Sequence, residues 1–184
     1  EKGDNCSKGS VPSDSKVNVK SGNLYHDQDV GILSFSYNSI DKNEGPLGKK
    51  WTHSFNRRIT AQSGNNTLIF DADDGNVFLF TISGGAYYAR ESSSEKSQIT
   101  KNADGTFTRT LKNGTVEIYN SSGKLTSVRE RNGRTTTLTY SGNDLVSITD
   151  ATGRTTNITN SAGKVTSITN PAGQTYTLAY TGGM

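Results

Sequence analysis

Few residues in this chain are of the types that perform acid-base or nucleophilic chemistry. The 184 residues include two histidines, His26 and His53, and a single cysteine, Cys6. The histidines are far apart in the sequence, and neither has an identifiable nucleophile as a partner, so we assign both a structural or surface role. Cys6 is interpreted as a free thiol, with an intermolecular bridge or a lipid site as the alternative. The sequence therefore predicts no catalytic residue and no enzyme.

An acidic stretch resembles a metal-binding loop. Asp71, Asp73 and Asp74 precede Gly75, as the ligands of a calcium loop would. An EF-hand also requires an acidic residue at the twelfth position, which is Ile82 here. A hairpin turn is the better interpretation, and the sequence predicts neither a metal site nor a cofactor.

The basic residues are a possible binding surface. Arg57 and Arg58, together with Arg134, Arg154 and Lys164, could line a surface for anionic glycans or another partner. The spacing of twenty residues places Arg134 and Arg154 in neighbouring hairpins on one sheet edge. A solvated edge that discourages strand addition explains the same cations, so both interpretations stay open. The formal net charge of +3 is too small to indicate nucleic-acid binding.

The elements that carry these residues repeat every ten residues between Gly123 and Gly173. Each turn opens on a residue such as Asn or Asp, which can hydrogen-bond the backbone two residues on, and closes on a glycine that supplies a left-handed conformation. We predict three-residue hairpin loops at these turns. The turns are Asn120-Ser-Ser-Gly123, Glu130-Arg-Asn-Gly133, Asp150-Ala-Thr-Gly153, Asn160-Ser-Ala-Gly163 and Asn170-Pro-Ala-Gly173, with a shifted member at Ser141-Gly-Asn-Asp144.

The six-residue stretches between the turns predict a sheet with one apolar and one polar face. Three-residue loops and an even period keep the same parity on the same face from strand to strand. The apolar face is predicted to carry Val128, Leu138, Ile148, Ile158, Ile168 and Leu178, flanked by Thr136, Tyr140, Val146, Thr156, Tyr176 and Tyr180. The other face is rich in serine and threonine, as a solvated sheet face is. Three residues twenty apart break the pattern and raise the unit to a two-strand hairpin: Leu125, Leu145 and Val165.

The rest of the chain also predicts strands. Four aromatic residues give the segment before residue 60 a larger apolar content than any repeat, and we interpret this segment as a cap: Phe35, Tyr37, Trp51 and Phe55. The strand candidates that follow are Thr67 to Phe70, Val77 to Ile82, Ala86 to Ala89, Thr106 to Leu111 and Thr115 to Tyr119. No long stretch has helical spacing of its apolar residues, and no apolar stretch is long enough to span a membrane. No signal peptide remains at the start of the sequence. The sequence thus predicts an all-β antiparallel hairpin array in a curved sheet with little or no helix.

Two segments carry a family resemblance. Asp150-Ala-Thr-Gly153-Arg154 resembles the core of the YD repeat, Tyr-Asp-x-x-Gly-Arg, with Thr149 in place of the tyrosine. A second block resembles, in order and spacing, the segment that opens the repeat region of bacterial Rhs proteins. This block consists of Val17-Asn-Val-Lys-Ser-Gly22-Asn-Leu-Tyr25, Leu33-Ser-Phe-Ser-Tyr37-Asn38-Ser39 and Gly45-Pro-Leu-Gly48-Lys-Lys-Trp51-Thr-His53-Ser-Phe55.

The resemblance to the Rhs/YD-repeat family implies an organisation and a function. The implied organisation is an N-terminal tail over residues 1–15, an opening block over 16–60, irregular hairpins over 61–119 and YD-like repeats over 120–184. Rhs and toxin-complex proteins, to which teneurins are related, wind such repeats into a hollow β-shell around a toxic domain. A secreted, extracellular or cell-surface scaffold around a toxin or cargo is therefore expected, with the remainder of a larger polypeptide as its partner. An adhesin that binds carbohydrate and a fibre subunit that joins through terminal edge strands are the alternatives.

Overall fold

The described chain is built entirely from β-strands. A computed structural model describes residues 15–18, 23–41, 44–64, 66–90 and 93–180, and these residues contain nineteen strands and no helix. Cys6, nearly all of the predicted tail and the last four residues lie outside the described residues. The strands form three antiparallel sheets, which confirms the predicted all-β class.

The opening segment forms a small sheet and a short hairpin. The small sheet has the order β1-β2-β3-β6. The β4-β5 hairpin lies between β3 and β6 in the sequence and forms a separate two-stranded sheet. Leu33 and Phe35 of this sheet and Leu47 of the hairpin are buried in the same apolar cluster as the repeats. The strands are β1 (Ser15–Asn18), β2 (Asn23–Val30), β3 (Leu33–Asn38), β4 (Glu44–Gly45), β5 (Gly48–Lys49) and β6 (Trp51–His53).

All the remaining strands form one sheet of thirteen strands in simple sequence order. The alternation of apolar residues from Trp51 to Ile59 predicts one continuous strand, but Ile59 lies in the large sheet and Trp51 in the small one. Gln98–Lys101 is a strand that the sequence pattern missed, because Ile99 is its only apolar residue. The strands are β7 (Arg58–Ala61), β8 (Thr67–Asp71), β9 (Val77–Ser83), β10 (Ala86–Ala89), β11 (Gln98–Lys101), β12 (Phe107–Thr110), β13 (Val116–Tyr119), β14 (Leu125–Arg129), β15 (Thr135–Ser141), β16 (Asp144–Thr149), β17 (Thr155–Ser161), β18 (Lys164–Thr169) and β19 (Thr175–Thr177).

Two kinds of turn join the repeat strands. At 120–124, 130–134, 150–154 and 170–174 the loops have three residues, as predicted, and each glycine amide donates to the carbonyl three residues earlier. The loops at 142–143 and 162–163 have only two residues, since Ser141 pairs with Asp144 and Ser161 with Lys164. The predicted three-residue loop before Gly163 is therefore wrong. Ala162 has a φ of 50° and Gly163 a φ of 75°, so both central residues of this turn are left-handed, as in a type I′ turn.

β-bulges restore the side-chain parity that a two-residue loop would reverse. The register shifts beside Val146 and Thr166, so two residues of one strand face a single residue of the next. Leu145 and Val165 consequently lie on the same face as Ile148 and Ile168, and all four are buried. A bulge beside Thr126 likewise places Leu125 on that face. These leucines and valine therefore join the apolar face, while Val146, predicted there, is the partly buried bulge residue.

The two faces of the repeat sheet differ as the alternation predicted. Ile148, Ile158 and Ile168 are buried, whereas Thr137 and Asn157 on the other face are exposed. Leu178, beyond the last strand, is only partly buried against the core. We call the buried face the inner face.

The large sheet curls until its first strand meets its own seventh and eighth strands. In a flat sheet the six spacings between β7 and β13 would separate them by about 29 Å. Instead, the Ile59 amide donates to the Gly123 carbonyl at 2.9 Å, and Arg58 forms an isolated bridge with Lys124. The ladder continues from β14 to β19 past this contact, so the sheet is not a closed barrel.

The opening segment packs against the repeats along one edge of the sheet. Successive hairpin turns alternate between two edges, and we call the edge with the turns at 120–124, 142–143 and 162–163 the proximal edge and the opposite one the distal edge. The Pro46 carbonyl accepts a hydrogen bond from the Val165 amide at 2.9 Å, and Glu44 pairs with Lys164 at 2.6 Å. The Tyr180 hydroxyl donates to the Val165 carbonyl at 2.6 Å. The opening block thus lies against the proximal edge, where a cap would be.

Candidate functional site: the inner face and its edges

A group of charged side chains crosses the inner face inside the curl. Glu117 of β13 is fully buried. Its Oε1 accepts from Arg57, which precedes β7, and its Oε2 accepts from the Arg109 guanidinium at 2.7 Å and the Tyr119 hydroxyl at 2.6 Å. Glu117 therefore joins the start of the sheet to its middle.

Each of the two arginines that contact Glu117 also contacts a second carboxylate. Arg57 also contacts Asp73 of the β8–β9 turn at 3.0 Å, and Arg109 contacts Glu95 at 2.7 Å. The Arg109 guanidinium further donates to Ser97 and lies 4.0 Å from the centre of the Phe70 ring. We call the alternating series Asp73, Arg57, Glu117, Arg109 and Glu95 the ion chain.

The environment of three members of the ion chain, Arg57, Arg109 and Glu95, favours their charged forms. Burial by itself would lower the pKa of Arg57, but the charges of Glu117 and Asp73 outweigh it and raise that pKa. The pKa of Arg109 rises in the same way, with Glu117 as its main partner. Burial would raise the pKa of Glu95, yet hydrogen bonds from Ser97 and the Arg109 charge lower it. Both arginines thus stay protonated at any pH at which the protein is studied.

No motif in the sequence predicts the ion chain, although a local signal for part of it exists. Arg109 has the core parity of Phe107, and Glu117 has the core parity of Tyr119, so each charge occupies an inward position of an apolar strand. Arg109 and Glu117 are also directly opposite each other in the β12–β13 ladder. Arg57, considered as part of a glycan surface, and Asp73, considered as part of an acidic loop, are here bound to each other.

The acidic turn and the histidines have structural positions. The Asp74 carboxylate accepts from the Asn76 amide and closes the β8–β9 turn. His53 is buried beside this region, its Nδ1 accepts from the Phe55 amide, and burial lowers its pKa to about 4. His53 is therefore a neutral core histidine at pH 7. The side chain of His26 lies outside the part that the structure describes.

The three candidate cations do not share one surface. Arg134 and Arg154 follow distal-edge turns in neighbouring hairpins, as the spacing predicted. Arg154 pairs with Asp150 of its own turn at 2.7 Å, and hydrogen bonds from Thr152 and Arg154 hold the pKa of Asp150 well below its usual range. Lys164 lies at the proximal edge, bound to Glu44. Only Arg134 and Arg154 could serve a common partner, and Asp150 offsets half of that positive charge.

A cleft separates the opening block from the proximal edge. Its volume is about 550 Å³, and it is lined by rings, amides and carboxylates that include Trp51, Asn56, Asp71, Tyr140 and Asp144. Burial raises the pKa of Asp71, a rise that nearby Arg58 opposes and Asp41 reinforces. No group of three or more His, Cys, Asp or Glu residues arranged to hold a metal ion occurs within the described ranges. Those ranges also contain no helix that is long and apolar enough to cross a membrane.

Sequential hairpins, one apolar face and a wall that curls past itself define a β-hairpin repeat scaffold. Residues 119–155 match the family model described as RHS Repeat, and residues 14–80 match a domain of unknown function, DUF6531. No curated protein matches the chain. The two matches together support an assignment to the Rhs/YD-repeat family. Rhs repeats are typical of extracellular and cell-surface proteins, and here they form a structural scaffold.

Proposed function

We propose that this chain is the opening part of a β-shell in a secreted Rhs-type protein, and that the shell encloses a toxin or other cargo domain. The observation that carries the proposal is the curl of a two-faced sheet. Its inner face is apolar, its outer repeat face is polar, and its ladder runs past the point where β7 meets Gly123. Such a sheet is a wall that can continue by adding hairpins.

The last strand supports continuation of the wall. Among the described residues β19 pairs only with β18, so its other edge presents unpaired backbone groups. Tyr176 and Tyr180, at this end of the sheet, are each 40% exposed, in contrast to the buried Ile148 and Ile168. A further hairpin would pair with the free edge and cover these rings.

We further propose that the role of this part is mechanical and not catalytic. The most deeply buried charged group, Glu117, accepts from three donors, namely Arg57, Arg109 and Tyr119. His53 is held neutral and accepts from the backbone. Glu117 and His53 are therefore engaged in structural contacts, and neither is poised for proton transfer to a substrate.

Protease protection of the downstream domain tests enclosure. The experiment compares the natural polypeptide with an Ile148→Asp variant, which breaks the wall, and a Thr137→Asp variant, which alters its outer face. A folded domain downstream of the repeats should resist added protease in the wild type and in Thr137→Asp, and should be cleaved in Ile148→Asp. If that domain is digested equally fast in all three, or if the reading frame encodes none, the shell proposal is wrong.

The same free edge favours one alternative, a subunit that self-associates. A second copy could pair with β19 in place of a further hairpin. Sedimentation of the isolated chain over a wide concentration range distinguishes the two. Polymers that grow with concentration support the fibre, whereas a strict monomer eliminates it.

A further inference from the structure

We propose that the ion chain is an acid-sensitive latch that holds the curl of the large sheet closed. The residues it joins are far apart along the ladder, because Arg57 and Asp73 belong to the β7–β9 end and Glu117 to β13. Each strand from β8 to β18 has hydrogen-bonded neighbours on both sides. β7 has only β8 as a ladder partner, and side chains and turn contacts join it to β13. Loss of those contacts frees one end of the sheet without breaking the ladder.

The centre of the latch depends on charge. Glu117 lies between two guanidinium groups and forms an ion pair with each of them. The buried Nε of Arg57 has no hydrogen-bond acceptor, so this side chain depends on its two carboxylate partners. If Glu117 lost its charge, two arginines would be left facing each other across a buried neutral group, which is costly in an apolar surrounding.

Acid is the proposed trigger because protonation removes the charge of a carboxylate, whereas the two guanidinium groups stay charged. The guanidinium pKa values are raised, so Arg57 and Arg109 remain charged. The pKa of Glu95 is lowered, so its contribution to stability is present above the unfolded pKa of about 4.3 and is lost as the pH falls through the folded value. The titratable and charged groups at the latch come from several elements. They are Asp73 from the β8–β9 turn, Glu95 from the segment before β11, Arg109 from β12, Glu117 and Tyr119 from β13, and Arg57 from the β6–β7 connection, with His53 at the end of β6.

The proposed consequence is local. At low pH residues 57–61 and the opening block behind them should separate from the turn at 120–124, while β14 to β18 keep their ladder. The wall would then open at its first strand and expose the inner face there. This is a conformational response of the chain itself, and it holds whatever the shell encloses.

Hydrogen exchange of the isolated chain tests the latch. Protection factors, corrected for the intrinsic pH dependence of exchange, are compared for peptides that cover 58–61 and 144–149 at about pH 7 and about pH 3. We expect protection of 58–61 to fall about 10-fold or more on acidification, and protection of 144–149 to change less than about 3-fold. Equal loss in both peptides, or no loss in 58–61, would overturn the proposal.

Variants separate the latch from other titrating groups. Glu117→Gln should lower the protection of 58–61 at neutral pH and remove most of its pH response. Asp73→Asn, at the partly exposed end of the ion chain, should do the same more weakly, and it decides the matter if Glu117→Gln does not fold. Asp150→Asn, which removes an exposed ion pair, should retain the wild-type response. A response that disappears in this control, or persists unchanged in Asp73→Asn, refutes the latch.

Discussion

Two glycines in the same kind of turn should respond very differently to the same substitution. Gly123 and Gly153 each close a three-residue loop, with φ values of 76° and 82°. Alanine at either position is left-handed, which costs about 1–2 kcal/mol. A Cβ at Gly153 would meet nothing within 4 Å, whereas a Cβ at Gly123 would lie 1.7 Å from the Ile59 carbonyl oxygen.

The difference in cost follows from that contact. Carbon and oxygen atoms approach to about 3.3 Å, so Gly123→Ala requires the Ile59 backbone to shift by about 1.6 Å. A shift of this size breaks the Ile59–Gly123 hydrogen bond, worth about 1 kcal/mol, and loosens the packing of a buried isoleucine. We therefore expect Gly123→Ala to cost about 3–4 kcal/mol in total, about 2 kcal/mol more than Gly153→Ala.

Urea unfolding of the two variants and the wild type measures the comparison. The fluorescence of Trp51 reports on the opening block and far-ultraviolet circular dichroism on the sheet. Gly123→Ala should lower the midpoint well below that of Gly153→Ala. If the two variants lose the same free energy of unfolding, the contact between β7 and the 120–124 turn does not exist in solution, and the large sheet does not curl onto itself there.

Further substitutions test the faces, the buried histidine and the distal edge. Ile148→Asp should cost about 4 kcal/mol or more because it buries a carboxylate among apolar side chains, while Thr137→Asp on the exposed face should stay within about 0.5 kcal/mol; equal effects in urea unfolding would contradict the two-faced sheet. The lowered pKa of His53 contributes stability above the unfolded pKa of about 6.5 that is lost as the pH falls towards about 4, at most about 3 kcal/mol. His53→Asn should flatten the dependence of stability on pH in that window, and an unchanged slope would show that His53 is not buried neutral. If the distal edge binds anionic glycans, a glycan array should show saturable binding that Arg134→Ala and Arg154→Ala together abolish; no binding by the wild type would leave those cations as edge protection.

Local residue chemistry was enough to predict most of the repeat sheet. Glycine at the third loop position and Asn or Asp at the first specify hairpins, and the alternation of apolar and hydroxyl side chains assigns the faces. Ile148 and Thr137 lie where this alternation places them. The two-residue loop at 162–163 was not predicted, because Gly163 has the same ten-residue spacing as the glycines of the three-residue loops. The assignment of Val146 rather than Leu145 to the apolar face has a similar cause, since a bulge leaves the number of residues between turns unchanged.

The candidate site was much harder to predict. Arg57, Asp73 and Glu117 carry no motif in common and lie up to sixty residues apart. The inward-facing strand positions of Arg109 and Glu117 were a local signal, but no local pattern indicated which distant residues they contact. Lys164 lies on the opposite edge from Arg134 and Arg154 because antiparallel turns alternate between two edges. This alternation separates residues ten apart and keeps residues twenty apart on one edge.

The sequence by itself determined that this chain forms hairpins, where they turn, and which side of the repeat strands is apolar, since these depend on the conformational preferences of a few neighbouring residues. Only the tertiary structure decided how tightly the sheet curls and where its first strand lands. That contact depends on a close backbone approach that only glycine allows at position 123, and on charges that find each other across the curl. Both arise from parts of the chain that are distant in sequence, so no local pattern specifies them.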